Sequence, residues 1–86
     1  MIYEFDHYET ALNGRSAFSL DLPFNPFVGQ KIKIHKSVFP KHYFEGVFEK
    51  QPLQIDLFDE VEITVLFVQY VVFPEKQFFR IDFGVE

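Results

Sequence analysis

Apolar and polar residues alternate in the first quarter of the chain, which is the pattern of a β-strand with one buried face. Ile2–Tyr8 alternates in this way, with two aromatic rings and a histidine on one side and two acids on the other. Ser16–Leu22 repeats the pattern. Between these strands Asn13-Gly14 favours a tight hairpin, and a short helix near residues 7–13 is the alternative.

Prolines and glycines divide the middle of the chain into short segments. Pro23–Phe27 holds two prolines, which cannot donate backbone hydrogen bonds, and is therefore predicted to be a loop. Gln30–Lys36 alternates cleanly and predicts an amphipathic strand. Tyr43–Lys50 and Leu53–Phe58 are predicted as further strands, with Asp59-Glu60 as a charged turn after them.

The longest apolar segment, Val61–Phe73, is rich in β-branched residues and therefore favours a strand over a helix. Its predicted faces are Val61, Ile63, Val65, Phe67, Gln69, Val71 and Phe73 on one side, and Glu62, Thr64, Leu66, Val68, Tyr70 and Val72 on the other. From Leu66 onward both faces are apolar, whereas a half-exposed antiparallel strand should alternate. The chain then turns at Pro74–Gln77 and returns as the strand Phe78–Val85.

These segments predict an all-β fold, a small antiparallel barrel or sandwich of about six to seven strands. The 86 residues have room for one domain, residues 1–86, and a small core. There is no cysteine, so no disulfide supports that core. We expect a second copy of the chain to cover the strand that is apolar on both sides; a bent strand shared by two packed sheets is the alternative.

The charge is acidic and unevenly distributed. The net charge is −5, with +1 in residues 1–43 (five basic, four acidic) and −6 in residues 44–86 (three basic, nine acidic). Such a balance favours solubility or a basic partner over extensive phosphate binding. The longest apolar stretch is shorter than the roughly 20 residues of a membrane-spanning helix. We therefore expect a cytoplasmic protein with no signal peptide and no membrane partner.

One basic cluster could bind single-stranded nucleic acid. Its members are Lys31, Lys33, His35, Lys36 and Lys41, with Phe39 and Tyr43 as neighbouring aromatic residues. Aromatic rings beside a cationic groove on a small barrel commonly hold single strands. The alternative interpretation is a solvated face whose lysines pair with Glu45 and Glu49 on the next strand.

Neither metal nor cofactor chemistry is indicated. The acids between Asp56 and Glu62 lack the regular spacing and the glycine of a calcium loop, and indicate a charged turn that protects a sheet edge. The three histidines are too scattered for a zinc pattern, and no phosphate-binding glycine loop exists. Glu4 and Asp6 share a strand face and are interpreted as acids on an exposed face.

The predicted function is non-enzymatic: a β-module that binds another protein and acts as a homodimer through its apolar β-face, of the inhibitor, immunity-protein or accessory-factor type common in bacteria and phages. The predicted partner-binding residues are Leu66, Val68, Tyr70, Val72 and Phe78, with Phe24 and Phe27. The two loop phenylalanines are expected to close the barrel end, and if exposed would anchor a partner. Nucleic-acid binding is the second hypothesis and a small barrel enzyme the third.

Overall fold

The structure, a computed structural model, describes residues 1–7, 18–39 and 55–85. Within these ranges five strands form one curled sheet that resembles half a barrel, with almost no helix. The strands are β1 (Ile2–His7), β2 (Phe18–Asp21), β3 (Lys31–His35), β4 (Glu60–Val72) and β5 (Gln77–Gly84). The predicted all-β class is confirmed, with five strands in this part of the chain.

The order of strands in the sheet is β2-β1-β5-β4-β3. β1 and β5 pair in parallel at its centre, and the other neighbours pair antiparallel. A single 3-10 turn, Lys36–Val38, follows β3. No helix in the described ranges has the length and apolar character that crossing a membrane requires.

Two parts of the predicted strand pattern differ from the structure or lie outside it. The described part of the segment predicted as the strand Leu53–Phe58, residues 55–58, is not a strand and ends in a turn at Leu57 and Phe58, where the Asp56 carboxylate accepts hydrogen bonds from the backbone N–H groups of Phe58 and Glu60. The hairpin at Asn13-Gly14, the alternative helix near residues 7–13 and the strand 43–50 lie outside the described residues.

The core lies on one face of the sheet and combines aromatic with β-branched side chains. Its buried members are Tyr3, Phe5, Ile34, Phe39, Val61, Ile63, Val65, Ile81 and Phe83. The alternation predicted for β1 and β5 is confirmed, since both strands place every second residue in this cluster. His7 is also buried, with its ring stacked on Phe83 at 5.2 Å.

A β-bulge interrupts β4 at Leu66. Val65 lies opposite Phe83 and Phe67 lies opposite Asp82, so Leu66 is an additional residue between two consecutive positions of β5. An additional residue shifts the two-residue period by one and turns every later side chain to the other face.

The bulge changes which residues of β4 lie on the core side of the sheet. Before it, the core-side residues carry odd numbers and end at Val65. After it, Val68 lies opposite the buried Ile81, and Tyr70 lies opposite Phe79. The prediction that odd-numbered residues share one face along the whole strand is therefore wrong beyond the bulge. Part of the apolar character that the sequence places on both sides of the strand belongs to a single core face, which continues at even-numbered residues after the bulge.

Candidate functional site

The distal hairpin, defined here as residues 67–79, consists of β4 beyond the bulge and the beginning of β5. Phe73 and Lys76 close it by exchanging backbone hydrogen bonds with N···O distances of 2.8 and 3.3 Å. Its most exposed apolar side chains are Phe67, Tyr70, Val72 and Phe73, each with at least half of its surface exposed. Concentrated exposure of large apolar groups is a feature of protein-binding surfaces.

A row of aromatic rings extends the core onto the inner face of the distal hairpin. The Phe79 ring contacts Tyr3 on one side and Tyr70 on the other, with centroid separations of 5.5 and 4.9 Å. The Tyr70 hydroxyl donates a hydrogen bond to Gln77 Oε1 at 2.8 Å. Tyr70 is therefore held by its ring and its hydroxyl while 54% of the residue stays exposed, so contact with a partner would cost little side-chain entropy.

The outer face of the distal hairpin combines aromatic rings with one ion pair. The Phe73 ring lies 5.9 Å from the ring of Phe78, and Lys76 Nζ lies 4.7 Å above Phe78. The same ammonium group forms an ion pair with Glu4 of β1. Lys76 thus neutralises an acid at the base of the hairpin, while the rings of Phe73 and Phe67 stay exposed on this face.

An open groove of about 430 Å³ lies between the distal hairpin and the start of β1. It is lined by Met1, Ile2, Glu4, Tyr70, Lys76, Gln77, Phe78 and Phe79. Most of this lining is apolar, and its charged groups, Glu4 and Lys76, are paired with each other. The groove is suited to an apolar side chain from a partner.

The structure separates the residues that the sequence pattern placed in one partner-binding face. Tyr70 and Val72 are exposed on the inner side of the hairpin, whereas Phe78 is half-buried on the outer side. Val68 packs against the core, and Leu66 is half-buried in the bulge. The bulge is the reason, because it moves the later even-numbered residues to the core side.

Phe24 and Phe27 do not close the end of the half-barrel, contrary to the expectation from the sequence. Both are exposed, and Pro26 is the buried residue of this loop. The loop is attached to β4 where Gly29 N donates to Val65 O at 2.7 Å, so it lies beside the base of the distal hairpin. The exposure of the two rings is the condition under which the sequence analysis expects them to anchor a partner, and that role stays a prediction.

The lysines of the basic cluster pair with acids of β4 and of the turn before it, and the predicted pairing with Glu45 and Glu49 lies outside the described residues. Lys31 pairs with Glu62 at 3.6 Å and Lys33 with Asp56 at 3.1 Å. Hydrogen bonding to Asp56, and then the charge of that carboxylate, raise the pKa of Lys33. A third pair joins Lys36 and Asp59 at 3.4 Å.

The remaining residues of the basic cluster are not assembled into an aromatic platform in the described ranges. Phe39 is buried, with its ring against Phe18 and Phe83, and has no face available for a base. His35 Nδ1 accepts a hydrogen bond from Ser37 N and caps the 3-10 turn. Lys41 and Tyr43 lie outside the described residues. Nucleic-acid binding stays a prediction, without support from the contacts of the other members.

A buried polar cluster on the outer face of β1 and β5 was missed by the sequence analysis. Asp6 is only 2% exposed, although alternation placed it on an exposed face. Its Oδ2 atom lies 3.9 Å from Arg80 Nε and has no hydrogen-bond partner among the described residues. Asp82, directly opposite Asp6, lies 3.6 Å from the same nitrogen.

Burial dominates the electrostatics of this cluster. Burial raises the pKa of Asp6, the Arg80 charge lowers it, and the charges of Asp82 and Glu4 raise it further. No group of three His, Asp or Glu side chains in the described ranges is placed to hold a metal ion. Asp6 and Asp82 thus form an ion network around the guanidinium of Arg80.

Comparison with known proteins identifies no family for the chain. No protein-family model matches it, and neither the search of curated proteins nor the search of solved structures found a significant match.

Proposed function

We propose that the chain works without catalysis, as a β-module that binds protein and forms a homodimer through the distal hairpin. The observation that carries the proposal is the exposure of Tyr70 and Val72, 54% and 62%, on the side of the sheet that elsewhere forms the core. Apolar area that stays in contact with water is an unused source of binding free energy, about 25 cal/mol per Å² when it is covered.

The charge distribution supports a second copy as the partner. Each chain carries −5, so two copies repel each other wherever acidic surfaces meet. Within the distal hairpin the charged residues are Glu75 and Lys76, which both lie in the turn and leave residues 67–73 and 77–79 without charge. The hairpin is therefore a place where two acidic chains can approach without facing like charges.

The exposed apolar side chains also extend beyond the strands of the hairpin. A specific complex buries about 800 Å² on each partner. The hairpin offers apolar side chains on both faces, and the groove beside Tyr70 can receive a side chain of the partner. The exposed Phe24 and Phe27 extend the apolar surface near the base of the hairpin.

Sedimentation velocity of charge-introducing variants tests the proposal. We expect a dimer for the unchanged chain, and monomers for Tyr70→Glu and Val72→Glu, because each variant places a carboxylate in the apolar seam. Leu57→Glu is the matched control: Leu57 is 99% exposed, but it precedes the other end of β4. A monomeric parent chain contradicts the proposal, and dissociation by Leu57→Glu alone moves the interface away from the hairpin.

A further inference from the structure

One edge of β4 changes from paired to open at the bulge. β3 pairs with β4 over Glu60–Thr64, and the ladder ends at Val65, which exchanges hydrogen bonds with Gly29 and Gln30 at 2.7 and 2.8 Å. Beyond Val65, no strand in the described ranges pairs with this edge, while β5 continues to pair with the opposite edge as far as Val72.

Hydrogen-bond alternation identifies the backbone groups that face the open edge. Phe73 and Lys76 form a reciprocally bonded pair, so the next pair along the ladder is not hydrogen-bonded and the following one is. Counting back along β4, the residues whose N–H and C=O groups point away from β5 are Val68, Tyr70 and Val72. Val65, on the far side of the bulge, fits the same alternation, because its backbone groups bond away from β5.

The open edge lacks the features that usually prevent strands from pairing between molecules. Residues 66–72 read LFVQYVV, with no charge, proline or glycine. The other two edges are different: β3 carries Lys31 and Lys33, and β2 is only four residues long and ends at Asp21. The unprotected edge therefore coincides with the exposed part of the distal hairpin.

We propose that a second copy of the chain adds its β4 to this edge, antiparallel and related by a two-fold axis at Tyr70. Tyr70 then lies opposite Tyr70 of the second copy, and Val68 lies opposite Val72. Each of these pairs exchanges reciprocal backbone hydrogen bonds, and the two half-barrels become one continuous sheet. This inference rests on the proposed homodimer and names the atoms that join it.

A second copy fits this edge for reasons of symmetry and charge. A two-fold axis requires a segment that is complementary to itself, and in this register valine meets valine on one face of the new ladder. On the opposite face Gln69 meets Val71 of the other copy. Since no charged residue lies in residues 66–72, the pairing places no like charges opposite each other despite the net charge of −5.

Disulfide trapping tests the register directly, because the chain has no cysteine of its own. We expect a mixture of Val68→Cys and Val72→Cys proteins to form a mixed disulfide on mild oxidation. Opposite residues of a hydrogen-bonded pair have Cα atoms about 5.5 Å apart, within the range that a disulfide spans. The mixture should cross-link at least about 100-fold faster than either variant alone, since pairing gives the sulfurs a mM effective concentration.

The outcomes separate this inference from the proposed function. Sedimentation of the unchanged chain is measured alongside the trapping. The β4 pairing is overturned if the chain is a dimer but gives no mixed disulfide, or if each variant alone cross-links as fast as the mixture. In that case the homodimer forms through another surface. A monomer overturns both. Circular dichroism spectra of the two cysteine variants that match the parent chain exclude misfolding as the reason for a negative result.

Discussion

The side chain of Leu66 lies over Gly84: a Cβ atom on Gly84 would come within 3.2 Å of Leu66 Cδ1. Leu66 is the additional residue of the β4 bulge, and Gly84 is the last residue of β5. The bulged side chain thus occupies the space that a side chain at the end of β5 would need. Glycine at position 84 therefore accommodates the bulge that sends Val68 and Tyr70 to the core side.

Gly84→Val should lower the free energy of unfolding by about 1–3 kcal/mol, because the added methyl groups crowd Leu66 in a packed site. Urea denaturation measures the change. The double variant with Leu66→Ala serves as the control. Its loss should be smaller than the sum of the two single losses, since the alanine gives the valine room. Additive losses would mean that Leu66 and position 84 do not share this space.

Asp6→Asn should stabilise the folded chain near neutral pH. Burial raises the pKa of Asp6 above its ordinary value of 3.8, so folding disfavours the charged carboxylate, although Arg80 offsets part of this cost. Denaturation at pH 7 measures the effect. Glu75→Gln, which removes one negative charge at an exposed turn, is the control for net charge.

The advantage of Asp6→Asn should depend on pH in a defined direction. In the parent chain the folded state holds the Asp6 proton more tightly than the unfolded state does, so stability falls as the pH rises through the raised pKa. Below 3.8 the carboxyl is protonated in both states, and the difference between the variant and the parent chain should become small. A difference that grows on acidification would show that the Arg80 charge outweighs burial.

Asp56→Ala should lower the melting temperature more than Asp56→Asn. The Asp56 carboxylate accepts from the N–H groups of Phe58 and Glu60 at 2.8 and 3.0 Å, and the asparagine oxygen can replace this acceptor but not the charge toward Lys33. The backbone hydrogen bond from Glu60 is the main cause that lowers the pKa of Asp56. The stabilisation from the Asp56 carboxylate is present above pH 3.8 and is lost as the pH falls through the lowered pKa. The difference in melting temperature between the parent chain and Asp56→Ala should therefore be larger at pH 7 than at pH 2.

Lys33→Glu should lower the melting temperature more than Lys31→Glu. Both pairs are exposed and of small net value, but Lys33 Nζ donates a hydrogen bond to Asp56 Oδ2 at 3.1 Å, whereas Lys31 Nζ lies 3.6 Å from Glu62 Oε1. The double reversal Lys33→Glu with Asp56→Lys should recover part of the loss. Equal melting temperatures for the two single variants would show that the Asp56 contact adds no stability.

The candidate surface was only partly predictable from the sequence. Tyr70 and Val72, which the sequence pattern singles out, are exposed in the structure, since an apolar segment without charges is visible in the sequence itself; their role in binding stays a prediction. Their grouping with Leu66 failed because a one-residue bulge leaves no mark in a segment that is apolar at every position. The burial of Asp6 was missed for a related reason: alternation shows which side of a strand a residue faces, and not what covers that side.

By itself the sequence determined the β class and the five described strands, because alternation and β-branched content act between residues close in the chain. It also determined the core side of β1 and β5, where polar residues separate the apolar ones. Only the tertiary structure decided that β1 and β5 pair in parallel, that β4 shifts its faces at Leu66, and that the lysines of β3 meet Glu62 and Asp56. These features depend on pairing between residues far apart in the chain, which a local pattern does not encode.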